Sequence, residues 1–303
     1  MAKQYVVYTV VVGGYDDIHQ PLVVDDRFDY VLFTDIIKSN YIGVWQVRLF
    51  DYKNIDKIRE SRYPKMHPTE LLSEYDASLY IDGKLQIMGE DIYDKCVSFF
   101  KNGIDWGGVM VPERNDIYSE CFYIAREQHE AIVRTLEWGF LLRKENYPRN
   151  SGLMDNCVIF RIHNTRVARA DSFWWELYER YLKRDQPLLP YVFWKNQGLR
   201  KESLSPVDKG PYPWLGNTMR AHGHSIKKTA SSVKDLFLHA LNRTFNEMIE
   251  KQQRFDNTFY SLCDYRPSFS RWLFIVWSLF IIIVYGPIAK YRSWSRKRRE
   301  ACL

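Results

Sequence analysis

The chain of 303 residues is long enough for one large domain or two small ones with a sizeable core, and its 46% hydrophobic and 16% aromatic content is not that of a disordered chain. Much of the formal net charge of +6 sits at the C-terminus, where "KYRSWSRKRRE" carries six Lys/Arg residues from Lys290 to Arg299. The nearly neutral remainder gives no case for nucleic-acid binding. Five cysteines (Cys96, Cys121, Cys157, Cys263 and Cys302) with no C-x-x-C pair argue against a disulfide framework or a zinc site and suit a reducing compartment.

The N-terminal "MAKQYVVYTVVVGG" runs straight into a strand pattern, without the basic region and cleavage site of a secretory leader, so the folded part is expected in the cytosol. "YVVYTVVV" (5–12) is a continuous β-branched run, the mark of a strand buried on both faces of a mainly parallel sheet, and it stops at Gly13-Gly14. "YVLFTD" (30–35) and "WQVRLF" (45–50) are the next strands. "NIDKIRESRYPKMHPTELLSEY" predicts one or two helices interrupted near Pro64 and Pro68. "SLYIDGKLQI" (78–87) is a buried strand that ends abruptly on Asp82, Gly83 and Lys84.

A strand from "GGVMVPE", one long amphipathic helix over "ECFYIAREQHEAIVRTLEWGFLLRKE", a strand at "CVIFRIH" (157–163) and a helix at "FWWELYERYLKR" (173–184) follow. Residues 201–225, rich in Pro, Gly, Ser and Lys, read as a loop or linker. Strands alternating with helices predict an α/β fold of the doubly wound type, in which ligands bind beyond the carboxyl ends of the strands. Gly13, Gly14, Asp35 and Asp82 all stand at such ends, although each alone is more often a turn residue than a ligand.

Near the C-terminus, "WLFIVWSLFIIIVYGPIA" (272–289) is uncharged and apolar all round, flanked by Arg271 and Lys290. Its length is close to the lower limit of about 17 residues for a membrane-crossing helix. Pro287 and the basic cluster that follows leave open whether it spans the bilayer or lies in its plane.

Six blocks resemble one family in order and spacing: "VVYTVVVGGYDDIHQP", "FDYVLFTD", "SRYPKMHP", "SLYIDGKLQI", "NSGLMDNCVIFRIHN" and "KRDQPLLPYVFW". It is a glycosyltransferase family met in plant seed-mucilage and pectin-related proteins and in bacterial surface-polysaccharide gene clusters, first catalogued as a domain of unknown function. The similarity runs from about Tyr5 to about Trp194 and does not include the apolar C-terminal segment. It implies a GT-A-like, Rossmann-like mixed sheet flanked by helices over residues 1–200. A loop or linker (201–228), an amphipathic helical region (229–268) and the apolar segment with its basic tail (270–303) complete the layout.

The resemblance gives the strand ends a chemical reading. Thr9, Gly13, Gly14 and Tyr15 would receive the nucleotide, glycine permitting close backbone approach and Tyr15 stacking on a base. Asp35 would bond to base or ribose. Arg62 and Lys65, which alone read rather as a solvated helix face, become candidates for the diphosphate. Relatives of this fold carry Asp-x-Asp at the strand end where this chain has Asp82-Gly83-Lys84. Two readings stay open: Asp82 binds a divalent cation, Mn²⁺ or Mg²⁺, aided by a histidine such as His163, His222 or His224; or Lys84 supplies part of the cation's charge and Asp82 binds a hydroxyl.

In the second half Asp155 is a candidate general base, with Asn156 beside it, and a turn or cap is the plain alternative. Arg184, Asp185 and Gln186 are candidate sugar or phosphate ligands, Asp185 also as a catalytic carboxylate. The implied function is a membrane-associated glycosyltransferase with its catalytic domain facing the cytoplasm. It would move sugar from a nucleotide-sugar donor to a surface-polysaccharide or lipid-linked oligosaccharide acceptor. The alternative is a non-catalytic nucleotide-sugar-binding or scaffold protein of a polysaccharide assembly complex. Nucleic acid is not an expected partner.

Overall fold

The computed structural model describes residues 4–35, 39–111, 115–127, 129–205 and 218–224. The chain divides into two units, Met1–Ile117 with Asn150–Lys227, and Tyr118–Arg149 with Lys228–Leu303. The first unit holds an eight-stranded sheet made of β1 (Tyr5–Val11), β2 (Phe28–Thr34), β3 (Tyr41–Ile42), β4 (Trp45–Arg48), β5 (Ala77–Asp82), β7 (Trp106–Met110), β8 (Met154–Ile162) and β9 (Lys201–Ser203). Their order across the sheet is β3-β4-β2-β1-β5-β8-β7-β9, and β6 (Leu85–Ile87) pairs separately with β10 (Met219–Ala221).

The strands β2, β1 and β5 run parallel, as the β-branched run of β1 predicts, and β1 is buried along its whole length. The sheet turns mixed at β8, which is antiparallel to both β5 and β7. That brings the start of β8 beside the end of β5, so Asp155 and Asn156 lie at the same sheet edge as Asp82.

Alternating residues face opposite ways along each strand. Val7, Val11, Leu32, Leu79, Ile81, Val158 and Phe160 point to one face and pack with Ile92, Tyr93, Cys96 and Phe99 of α3 (Asp91–Lys101) in one apolar cluster. On the other face α1 (Lys57–Met66) packs on β1 and on α6 (Thr165–Arg180), which also contacts α2 (Pro68–Leu71) and α7 (Leu189–Lys195). Asp56 caps α1 by accepting from the Ile58 amide, and Asn164 caps α6 by accepting from Arg166 and Val167. The helix α1 runs through Pro64 and stops at His67, the residue before Pro68.

Several expectations need correction. The long amphipathic helix is two helices, α4 (Ile117–Arg126) and α5 (Ile132–Lys144), separated where the His129 and Glu130 amides both turn back to the Ile124 carbonyl. The helix expected at 173–184 starts eight residues earlier, at Thr165 behind its Asn164 cap, and ends at Arg180. The stretch expected as a loop carries two short strands: β9 extends the large sheet beside β7, and β10 pairs with β6. The amphipathic region 229–268 and the apolar segment 270–303 lie outside the described residues. Among the described residues no helix is long and apolar enough to cross a membrane.

Candidate functional site

Asp82 ends β5 at the carboxyl edge of the parallel strands, beside Val10 of β1. Its Oδ1 accepts from the Tyr80 hydroxyl at 2.7 Å and lies 3.4 Å from Lys65 Nζ. Lys65 is 1% exposed, and its ammonium lies 2.7 Å from Asp185 Oδ2 and over the Tyr80 ring. Arg62, one helical turn before Lys65, brings Nε to 3.7 Å from Asp185 Oδ1. Asp185, in the turn after α6, is tied down by its carbonyl, which accepts from Trp174 Nε1 at 3.0 Å. Arg62, Lys65, Asp82 and Asp185, far apart in sequence, thus form one charge cluster, with Lys65 and Asp185 buried and Arg62 and Asp82 half-buried.

Cations dominate what the two carboxylates feel. Burial pushes the Asp82 carboxyl up, but Lys65, Arg62 and Lys84 outweigh it and hold the group below the ordinary carboxylate range. Asp185 is drawn down further, burial being overcome by Lys65, Arg62 and Arg184. Both carboxylates are therefore ionised at neutral pH, and four cations surround them.

The lysine is held in place from below. Arg161 of β8, fully buried, donates to the Lys65 carbonyl at 2.7 Å and to the Tyr8 hydroxyl, and meets Asp171 of α6 at 2.6 Å. Tyr8 also donates to the Lys65 carbonyl. This network fixes the last turn of α1, where Pro64 has removed one amide donor.

The first loop is shaped by two glycines in the left-handed region, Gly13 (φ 68°) and Gly14 (φ 64°). A Cβ on Gly13 would come 3.2 Å from Lys57. Asp35 accepts from the Gly13 amide at 2.8 Å and from Lys57 Nζ at 2.9 Å, so its carboxylate is engaged in holding this loop. Tyr15 lies against His224, whose Nδ1 is 2.6 Å from Asp16 Oδ1. A Cβ on Gly83 would come 3.0 Å from Val11 and 3.1 Å from the Asp16 carboxylate, so the two loops close on each other at the strand ends. The Lys84 carbonyl accepts from the His222 amide, and His222 stacks on His19 at 3.8 Å.

The remaining candidates are distributed as follows. Thr9 lies within β1 opposite Ile81, buried and with its hydroxyl unpartnered. Asp155 Oδ1 accepts from the Cys157 amide two residues on, a local turn bond. Asn156 is 3% exposed and neither atom of its amide has a partner. Arg184 and Gln186 flank Asp185 and are half-buried. His163 stands at the other end of the strands: its Nε2 meets the Ser78 hydroxyl at 2.9 Å and its amide donates to Asp76. Strand geometry separates it from Asp82 by the length of β5, so the two share no cation. Sequence reasoning assigned no role to Tyr8, Tyr80, Arg161 and Asp171; a charged residue inside the apolar run "CVIFRIH" was the available sign of a buried ion pair.

A divalent cation was one of two readings of Asp82, and the residues around it do not fit one. Hard cations take oxygen ligands, commonly one or two carboxylates. Here the position two residues after Asp82 is Lys84, and Asp82 and Asp185 both already face Lys65. Among the described residues no group of three or more His, Cys, Asp or Glu side chains could hold a metal ion. The three described cysteines Cys96, Cys121 and Cys157 are buried.

No family model matches the chain, and no curated protein does. Among solved structures the chain is similar to the WbbM bifunctional glycosyltransferase (11% identity, TM-score 0.42), over 86% of this chain and 52% of that longer one. It is also similar to mouse xyloside xylosyltransferase 1 (10% identity, TM-score 0.39; 73% of this chain and 95% of that one). A third likeness is core-mannan synthase A from Aspergillus fumigatus in a Mn/GDP form (10% identity, TM-score 0.34; 67% and 73%). These likenesses are distant, and the chain spans about half the length of the first.

Proposed function

We propose that the protein is a glycosyltransferase that takes its sugar from a nucleoside-diphosphate donor. The observation that carries this reading is the buried Lys65 meeting Asp82 at the carboxyl edge of parallel strands, with Arg62 beside it on Asp185, next to a glycine-opened loop. Cations at that edge suit a diphosphate through charge-assisted bonds. The left-handed turn at Gly13-Gly14 lets backbone approach the nucleotide, and Tyr15 offers a ring to the base. Asn156, a buried amide without partners, suits the hydroxyls of the sugar, since such a group is costly until something bonds to it.

In the reaction the bond between the sugar's anomeric carbon and the diphosphate oxygen breaks, and a bond to an acceptor hydroxyl oxygen forms. The hydroxyl proton goes to a base, for which Asp155 is the candidate, and the nucleoside diphosphate leaves with the bonding pair. Lys65, Arg62 and Lys84 would stabilise the charge that develops on the leaving group. The acceptor in this reading is a surface polysaccharide or lipid-linked oligosaccharide. The apolar segment 272–289 and its basic tail would hold the protein at the cytoplasmic face of a membrane, raising the effective concentration of a lipid-linked acceptor.

Calorimetric titration of the full chain with UDP and GDP tests the reading, followed by assay for release of nucleoside diphosphate from sugar donors. Binding with donor turnover is expected; binding without hydrolysis or transfer for any acceptor would leave a non-catalytic nucleotide-sugar-binding protein, and no binding overturns both. Removal of residues 270–303 is expected to shift the protein from the membrane to the soluble fraction. Unchanged fractionation and unchanged activity on lipid-linked acceptor would sink the membrane part.

A further inference from the structure

Resting on the reading above, we infer that this site recognises the donor diphosphate without a divalent cation, the Lys65 ammonium standing where a metal ion would bridge Asp82 to the phosphates. Lys65 Nζ faces Asp82 at 3.4 Å and Asp185 at 2.7 Å, two carboxylates of the site. A metal bound to Asp82 Oδ1 would sit against that ammonium, with the Tyr80 hydroxyl already bonded to the same oxygen. Lys65 is not free to swing aside: it is 1% exposed, lies over the Tyr80 ring, and its carbonyl is held by Arg161 and Tyr8.

The distribution of charge points the same way. Lys65 and Arg62 act on both Asp82 and Asp185, Lys84 on Asp82 and Arg184 on Asp185, so cations already stand where a diphosphate would need them. Lys84, at the position where a second aspartate would complete a metal site, is thus part of the same substitution. Asp82 and Asp185 hold the cations in place, and Asp82 takes no metal.

The test uses the full chain and two probes. UDP and GDP are titrated by calorimetry in EDTA and again in Mn²⁺, and Mn²⁺ alone is titrated against the nucleotide-free protein by electron paramagnetic resonance of the free ion. The expected result is nucleotide affinity in EDTA within about threefold of that in Mn²⁺, and no uptake of Mn²⁺ by the protein. Lys65→Met is expected to weaken nucleotide binding about tenfold or more. Because that variant removes a buried charge and can fail to fold, Lys84→Asp, in a half-buried turn, is the second variant. It is expected to weaken binding in EDTA by about tenfold and to regain part of it in Mn²⁺. Nucleotide binding that vanishes in EDTA, or Mn²⁺ uptake that disappears in Asp82→Asn, would overturn the inference while leaving the glycosyltransferase reading intact. If neither nucleotide binds under either condition, the reading of the site falls, and the Mn²⁺ titration still decides whether Asp82 takes a cation.

Discussion

The two faces of the central sheet are built from the same strands and differ in kind. On one, Val7, Leu32, Leu79, Ile81, Val158 and Phe160 meet α3 in an apolar cluster whose polar tips, such as the Tyr30 and Tyr93 hydroxyls, bond to each other and to backbone. On the other, Tyr8, Ser78, Tyr80, Asp82, Arg161 and His163 meet α1, α2 and α6 through a chain of buried charges. The first face is what stability alone asks for. Buried ion pairs are often matched or bettered by apolar packing of the same volume, so the second face is better explained by what it positions than by what it stabilises.

The largest test of this contrast is Arg161. Arg161→Ala would leave Asp171 and the Tyr8 oxygen without their donor in a dry interior and the Lys65 carbonyl with Tyr8 alone, and a loss of about 3–5 kcal/mol in denaturant unfolding is expected. The double variant Arg161→Met/Asp171→Leu sharpens it: stability is expected to recover substantially while nucleotide binding stays weakened, because the lysine loses its anchor. Full recovery of binding would break the claim that this face exists to position Lys65.

The charged face also predicts a pH dependence that the apolar face lacks. Burial, reinforced by Arg161, lowers the His163 imidazole from 6.5 to about 4 in the folded protein. Between those values the unfolded chain binds a proton that the folded chain refuses, so stability falls as pH drops from about 6.5 to about 4 and this contribution levels off below that. The loss approaches roughly 3 kcal/mol and is expected to vanish in His163→Gln, measured by unfolding at pH 7 and pH 4.5. A variant with the same pH profile as the parent chain would refute it.

On the apolar face the corresponding probe is Gly107, where a Cβ would come 2.7 Å from the Phe99 ring. Gly107→Ala is expected to destabilise by about 1–3 kcal/mol through overpacking, with nucleotide binding unchanged once the protein is folded. Loss of binding at constant stability would show that the two faces are not separable.

Much of the fold was readable along the chain because it rests on short-range rules. The β-branched run of β1, the abrupt end of β5 at Asp82 and the glycines after β1 each declare themselves within a few residues. The break between α4 and α5 did not, since the apolar spacing continues across it and only backbone bonds to Ile124 reveal the turn. The strands β9 and β10 were hidden for a related reason: three residues are too few to show a period, and pairing to β7 and β6 makes them strands.

For the site, the sequence by itself determined which residue types stand at the strand ends: Gly13, Gly14, Asp35, Asp82 and Lys84, with Arg62 and Lys65 on the helix between. Only the tertiary structure decided what each one faces. Asp35 holds the Gly13 loop through its amide and Lys57, His163 lies a strand's length from Asp82, and Asp185 closes on Lys65 across 120 positions of chain. The physical reason is that charge interactions act through space over a few ångströms. A sequence motif records neighbours along the chain, whereas the partner that fixes a carboxylate's role comes from wherever the sheet and helices bring it.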